Sequence, residues 1–295
     1  DLVMGQVSAD AAMDGGSARI AGFLGVSQAL SGFLLARYGV AGVFDFSRPW
    51  RLLLLIGALV LAAYTGFRSS LVLFGLVFLL LFWLEGLWKT RFVFVILGLS
   101  LCAGALVVAF ADRMPLSVQR TLSFLPIEVD PATRDGARSS TEWRVEMWRN
   151  VLPEVPRYLF RGKGYALNMH EIEMIEDARP WGVGRPTEGS ELAGDYHNGP
   201  LSVVIPFGIY GAIALIWFWI VSLRVLYGNY RHGNPVLKSF NAFIFAAFAA
   251  RMLYFLFAFG SFYGDMAIFA GLLGLGVALN RGQLGEIPEQ SELED

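Results

Sequence analysis

"LLLLIGALVLAAYTGFRSSLVLFGLVFLLLFWLEGLW", residues 52–88, decides the fold. It holds two apolar runs, 52–67 and 69–88, with Arg68 between them. Each run approaches the roughly 20 residues a helix needs to cross the hydrocarbon core of a membrane. Working outward, further windows of this kind stand at 92–111, about 200–223, about 239–259 and about 264–280. A seventh, 19–37 (RIAGFLGVSQALSGFLLAR), carries polar residues on one face and is counted with them. The pattern therefore predicts an all-α, polytopic helical membrane protein with about seven transmembrane helices and one long polar insertion, 112–198.

Composition agrees with that reading. Apolar and aromatic residues make up 55% of the chain, charged residues 16%, and mean hydropathy is +0.53. This is too apolar for a soluble domain of such length. A formal net charge of −2 and the absence of any basic arm argue against nucleic acid as a partner. The single cysteine, Cys102, lies in an apolar run, which excludes a disulfide framework and a cysteine-rich metal site. The first residue is Asp1, not Met, so an N-terminal portion is expected to precede this chain.

Short cytoplasmic loops collect Lys and Arg. Arg37, Arg48 and Arg51 lie between the first two spans, and Lys89 and Arg91 between the third and fourth. Arg224, Arg231, His232 and Lys238 surround the connection between the fifth and sixth, and Arg281 follows the seventh. These alternate connections predict one cytoplasmic side. The other side has no basic residue in Asp1–Ser17 or Gly260–Gly264, and Arg68 is its exception. The insertion falls on the same outer side as Arg68.

An insertion of this length is expected to fold and to carry function. Ser139 and Glu142 form a capping-box pattern, and Trp143, Met147 and Val151 repeat at helical spacing until Pro153. Arg144 and Trp148 share another face of that helix. Arg149 has Glu146 at i−3, whereas Arg144 has no carboxylate at i±3 or i±4. In "FRGKGYALN" (160–168) two glycines flank Lys163, the mark of a tight turn where backbone approaches another element closely. A second amphipathic helix is expected near Met169–Ala178, and irregular chain over 180–196.

Two side chains carry the candidate chemistry. Arg68 is either a snorkelling interfacial arginine or part of an anion site. Ser69 and Ser70 open the third span, whose N-terminal amides face outward and favour a phosphate, and arginine adds a fork of donors. His197, in "DYHNGP" (195–200), sits where water meets membrane. As a residue it is either an interfacial histidine or a general base toward a hydroxyl. Asp195 stands within reach to orient it, and Asn198–Gly199–Pro200 lead into the fifth span. No second histidine lies at metal-ligand spacing: His170 and His232 are remote. No metal site or other cofactor is expected. Within the spans, Glu85 reads as structural. Arg251, mid-span, should face an interior cavity or a partner, with Asp265 a partner if the helices bring the two close.

Together, "TGFRSS" (65–70), "STEWRVEMWRNVLPEVPRYLFRGKGYAL" (140–167) and "YHNGPLSVVIPFGIYGAI" (196–213) resemble the O-antigen ligase/O-antigen polymerase superfamily of bacterial membrane glycosyltransferases. The likeness runs over most of residues 19–280. Phe67 stands where members often carry a serine. The resemblance implies a GT-C-like helical fold, usually with more spans than seven, so this chain would be a C-terminal portion. It implies transfer of a glycan from undecaprenyl pyrophosphate to a hydroxyl on a glycan, lipid core or protein, without metal. By position, Arg68 and Arg144 would hold the pyrophosphate and His197 would assist the acceptor. Trp148, Lys163, Tyr196 and Asn198, their neighbours in the matching motifs, are expected to line the substrate site.

The implied layout places four spans in 1–111, a helical periplasmic loop domain in 112–198, three spans in 199–281 and an acidic cytoplasmic tail in 282–295, all in a bacterial inner membrane among its lipids. A transporter or flippase of lipid-linked glycans, and a protein O-oligosaccharyltransferase, are the competing functions.

Overall fold

The computed structural model describes residues 21–125, 130–164, 194 and 196–280. Among them the chain is helical throughout, with no strand. The helices are α1 (Ala21–Val43), α2 (Trp50–Tyr64), α3 (Arg68–Leu84), α4 (Phe92–Ala109), α5 (Leu116–Leu122), α6 (Pro131–Val151), α7 (Val155–Tyr158), α8 (Gly199–His232), α9 (Lys238–Phe257) and α10 (Phe262–Leu279). Over their described residues, all seven apolar windows are largely helical. Among the described residues, four stretches have the length and apolarity to span a membrane: α4, α8, 235–257 and α10. The apolar helices α2 and α3 are shorter, at 15 and 17 residues.

Helix α9 is the central post and packs against α1, α3, α8 and α10. Its Ala242 and Ala246, four apart, are small enough to let α1 and α3 close on it, with Leu34, Leu35, Val40, Leu81 and Phe82 filling the contact. Its Ile244, Phe248 and Phe255 meet Val203, Leu215, Trp219 and Leu226 of α8 and Phe269 of α10. Helix α4 has no buried residue; apolar on all sides, it is built to face lipid.

Two long helices are interrupted. In α1 the break is at Gly39, and the carboxylate of Glu85 accepts from the freed amides of Val40 (2.7 Å) and Ala41 (3.0 Å). Glu85 is therefore structural, as expected. In α8 the break follows Pro206, with Gly208 at φ +68°. The turn after α7 enters it. Lys163 and Gly164 donate their amides to Ile205 O (2.7 Å) and Pro206 O (2.9 Å), and Ile209 N donates to Leu159 O (2.6 Å). A Cβ on Gly162 would lie 2.2 Å from Pro206 O, so the contact requires glycine. The close backbone approach expected of "FRGKG" is made with this broken helix.

Helix α6 departs from expectation at its start. It begins at Pro131, capped by Asp130, whose side chain accepts from Thr133 N at 3.2 Å. Ser139 lies inside the helix, and its hydroxyl donates back to Gly136 O. The Asp-Pro pair outcompetes the capping-box pattern because proline at the first helical position needs no amide partner. Pro153 lies in the short 3-10 turn Leu152–Glu154 that follows. The exposed pair on this helix is Arg138–Glu142 at 2.7 Å, not Arg149–Glu146. The helix expected near Met169–Ala178 lies outside the described residues.

The ends of the bundle differ in character. One end gathers the α2–α3 corner, α5, α6, the start of α8 and the α9–α10 junction. At the other, Arg51 donates to Gly42 O (2.9 Å) and Tyr230 to Leu84 O (2.9 Å). There Asn229, Asn241 and Asn280 join α8, α9 and the end of α10 in a buried amide network that also uses Gly276 O. Interhelical side-chain amides of this kind fix helix packing where lipid supplies no hydrophobic drive.

Candidate functional site

The site lies where α6 meets the start of α8. Met147 and Val151 of α6 are buried with Tyr196, Leu201 and Ile205. Trp148 Nε1 donates to Tyr196 O at 2.8 Å, which fixes the chain just before His197. Asn198 caps α8, its side chain accepting from Leu201 N at 3.1 Å, and Gly199 and Pro200 are the first two helical residues. The turn expected at Asn198–Pro200 is thus a helix start. His197 between them has φ +50°, the left-handed region, unusual for a residue with a side chain. Held from both sides, the ring packs edge-on between Trp143 (5.0 Å) and Phe259 (5.1 Å). Backbone strain of this sort persists where neighbours over-determine it, and it collects at functional sites.

Arg144 shares Phe259 with His197, its Cζ 5.8 Å from the same ring centroid. One aromatic ring in the α9–α10 junction therefore brings Arg144 and His197 together. Arg68 is the first residue of α3, at the start of the turn that also carries Ser69 and Ser70. Tyr254 of α9 ties this corner to Arg144: it interacts with the Ser69 side chain and lies within the electrostatic reach of Arg144, Arg251 and Asp265. Beside the corner, Thr121 donates to Ala63 O (2.8 Å), and the adjacent Arg120 is only 3% exposed.

Arg251 and Asp265 do pair: Arg251 Nε lies 2.5 Å from Asp265 Oδ1, while Asp265 Oδ2 accepts from Ser261 N at 2.8 Å. Below them a cavity of about 320 Å³ opens among α1, α2, α3, α9 and α10. Apolar side chains form most of its wall, and Ser27, Gln28, Ser31, Ser70 and Arg251 add polar groups.

The structure therefore gathers Arg144, Trp148, Tyr196, His197 and Asn198, with Arg68 joined through Ser69 and Tyr254. Lys163 is placed by the turn after α7. Its backbone meets α8 at Ile205, about 9 Å along the helix from Gly199 at 1.5 Å per residue. Asp195, expected to orient His197, lies outside the described residues. Sequence reading missed Tyr254, Phe259, Trp143 as a ring partner, and Arg120. Only Arg120 left a signal, a charge close after an apolar window. Among the described residues no three His, Cys, Asp or Glu side chains gather that could hold a metal ion.

The model of the O-antigen ligase family matches residues 52–216, which takes in α2 to α7 and the first half of α8. The chain belongs to the O-antigen ligase family. The matched span includes Arg68, Arg144 and His197 and ends before α9, α10 and their junction, which supply Tyr254, Arg251, Asp265 and Phe259. No curated protein and no solved structure matches the chain. Family and helices together make it a multi-pass membrane protein with a ligase-type glycosyltransferase ancestry.

Proposed function

We propose that this protein moves a glycan from undecaprenyl pyrophosphate to an acceptor hydroxyl at the outer face of the bacterial inner membrane. In the reaction the acceptor oxygen bonds to the anomeric carbon of the glycan. The bond from that carbon to the pyrophosphate oxygen breaks, and undecaprenyl pyrophosphate leaves with the electron pair. His197 takes the hydroxyl proton. Arg68 and Arg144 stabilise the charge that develops on the leaving pyrophosphate, the main electrostatic need of such a transition state. Trp148, Tyr196 and Asn198 hold His197 in place, and Lys163 meets the glycan further from the chemistry. The seven helices cross the membrane, and the 112–198 insertion lies on the periplasmic side with this site.

One observation carries the reading. An arginine and a histidine from distant parts of the chain converge on Phe259, with the histidine in a strained backbone held on both sides. Of the two other functions, the transporter is the less well supported. Broken helices mark transporters when their freed backbone groups face a substrate path. Here the break in α8 is bonded by the turn after α7, and that in α1 by Glu85.

A deletion strain tests the class of reaction. Surface polysaccharide that is lost or shortened, and restored by the wild-type gene but not by a His197→Ala gene, supports a ligase or polymerase. Normal polysaccharide with unglycosylated envelope protein would identify the protein O-glycosyltransferase. Restoration by the His197→Ala gene would reject the catalytic reading.

A further inference from the structure

Arg251 stands mid-span in α9, and a charge there is retained against a considerable cost. Its partner Asp265 is 2% exposed and uses both oxygens, one on Arg251 Nε and one on Ser261 N. The Arg251 side chain is 20% exposed and forms part of the cavity wall, which Ser27, Ser31 and Ser70 also line. A lock between α9 and α10 does not need an ion pair. Apolar residues of similar volume often serve such a role as well or better. This pair instead opens on one side, into a cavity whose remaining wall is largely apolar.

We propose that Arg251 is a third arginine of the donor site. Asp265 clamps its Nε and fixes the guanidinium plane, and the outer nitrogens face the cavity and bind a phosphate of a polyprenyl pyrophosphate. The apolar wall formed by Leu35, Leu73, Phe74 and Phe243 takes the first isoprene units of the same lipid. Position supports a common site: Tyr254 lies within reach of both Arg251 and Arg144 and contacts Ser69, the residue after Arg68. Arg251 is thus a binding residue and Asp265 a positioning residue that acts through it. The inference rests on the glycosyltransferase reading and adds to it a lipid-phosphate contact from helices beyond the region the family model matches.

The test is equilibrium binding of undecaprenyl pyrophosphate to purified full-length protein, with thermal unfolding measured on the same samples. The double variant Arg251→Leu/Asp265→Leu removes both charges and leaves neither buried alone. It should unfold within a few degrees of wild type. Its affinity for undecaprenyl pyrophosphate should fall about ten- to hundredfold, the worth of charge-assisted hydrogen bonds. Arg251→Lys, which keeps the pair with Asp265 and loses the outer guanidinium nitrogens, should weaken binding in the same direction. It decides the matter if the double variant does not fold. Wild-type affinity in the folded double variant, or in Arg251→Lys, overturns the assignment and leaves the pair a helix lock. Failure of the wild-type protein itself to bind undecaprenyl pyrophosphate would overturn the glycosyltransferase reading as well.

Discussion

Arg68 and Arg149 are both arginines, and their surroundings separate them. Arg68 opens α3, followed by Ser69 and Ser70, while Arg149 is exposed on α6. Lysine at position 68 keeps the charge and loses the planar fork that matches a phosphate. Arg68→Lys is therefore expected to cut glycan transfer by about tenfold or more at unchanged protein level, given ~1.5–3 kcal/mol for a hydrogen bond to a charged group. Arg149→Ala should leave transfer near wild type. Equal tolerance of the two, measured in one transfer assay, would reduce Arg68 to a snorkelling residue. Trp148 has a subtler task, since its indole N–H holds Tyr196 O and with it the chain before His197. Trp148→Phe keeps most of the packing and loses that bond. A fall in transfer of about fivefold is expected for ~1 kcal/mol of lost positioning. Unchanged transfer would show that the N-cap at Asn198 alone holds His197.

At the scale of elements, the helices were largely legible and their interruptions were not. Apolar windows announce themselves because lipid demands long runs of one character. Breaks are tertiary events: Pro206 and Gly208 sit in an apolar run, and nothing local says that residues 159–164 complete their hydrogen bonds. The start of α6 was misread for a different reason. Ser139 and Glu142 imitate a helix beginning, while Asp130 followed by Pro131 carries the true signal at N-cap and first helical position. The union of α7 and α8 gives a direct prediction. Gly162→Ala puts a side chain at φ +73° against Pro206 O. It should destabilise the protein by about 1–3 kcal/mol, read as a lower unfolding temperature. Unfolding at the wild-type temperature would mean that the turn leaves the break without loss.

At the scale of the molecule, much of the candidate site could be read in the sequence and its closing wall could not. Arg68, Arg144 and His197 stand in stretches with their own character: a cation between apolar runs, an arginine with no carboxylate three or four residues away on its helix, a histidine at a boundary. Phe259 and Tyr254 look like ordinary aromatics of an apolar helix until the fold sets them against Arg144 and His197. Topology follows from charge: the basic connections, led by Arg48, Arg51, Lys89 and Arg231, lie at the end of the bundle opposite the site. The site should therefore face the periplasm. A reporter active only in the cytoplasm, fused near Ala178, should stay silent, and strong activity there would reverse the orientation.

The central claim is that His197 acts on the acceptor while the arginines hold the donor. The most direct test uses purified wild-type and His197→Ala protein with an undecaprenyl-pyrophosphate-linked glycan, and measures donor binding and glycan transfer separately. Transfer by His197→Ala should fall by about 10²–10⁴, the usual cost of removing a positioned acid–base group, with donor binding retained. Transfer at the wild-type rate would contradict the claim and leave His197 an interfacial anchor.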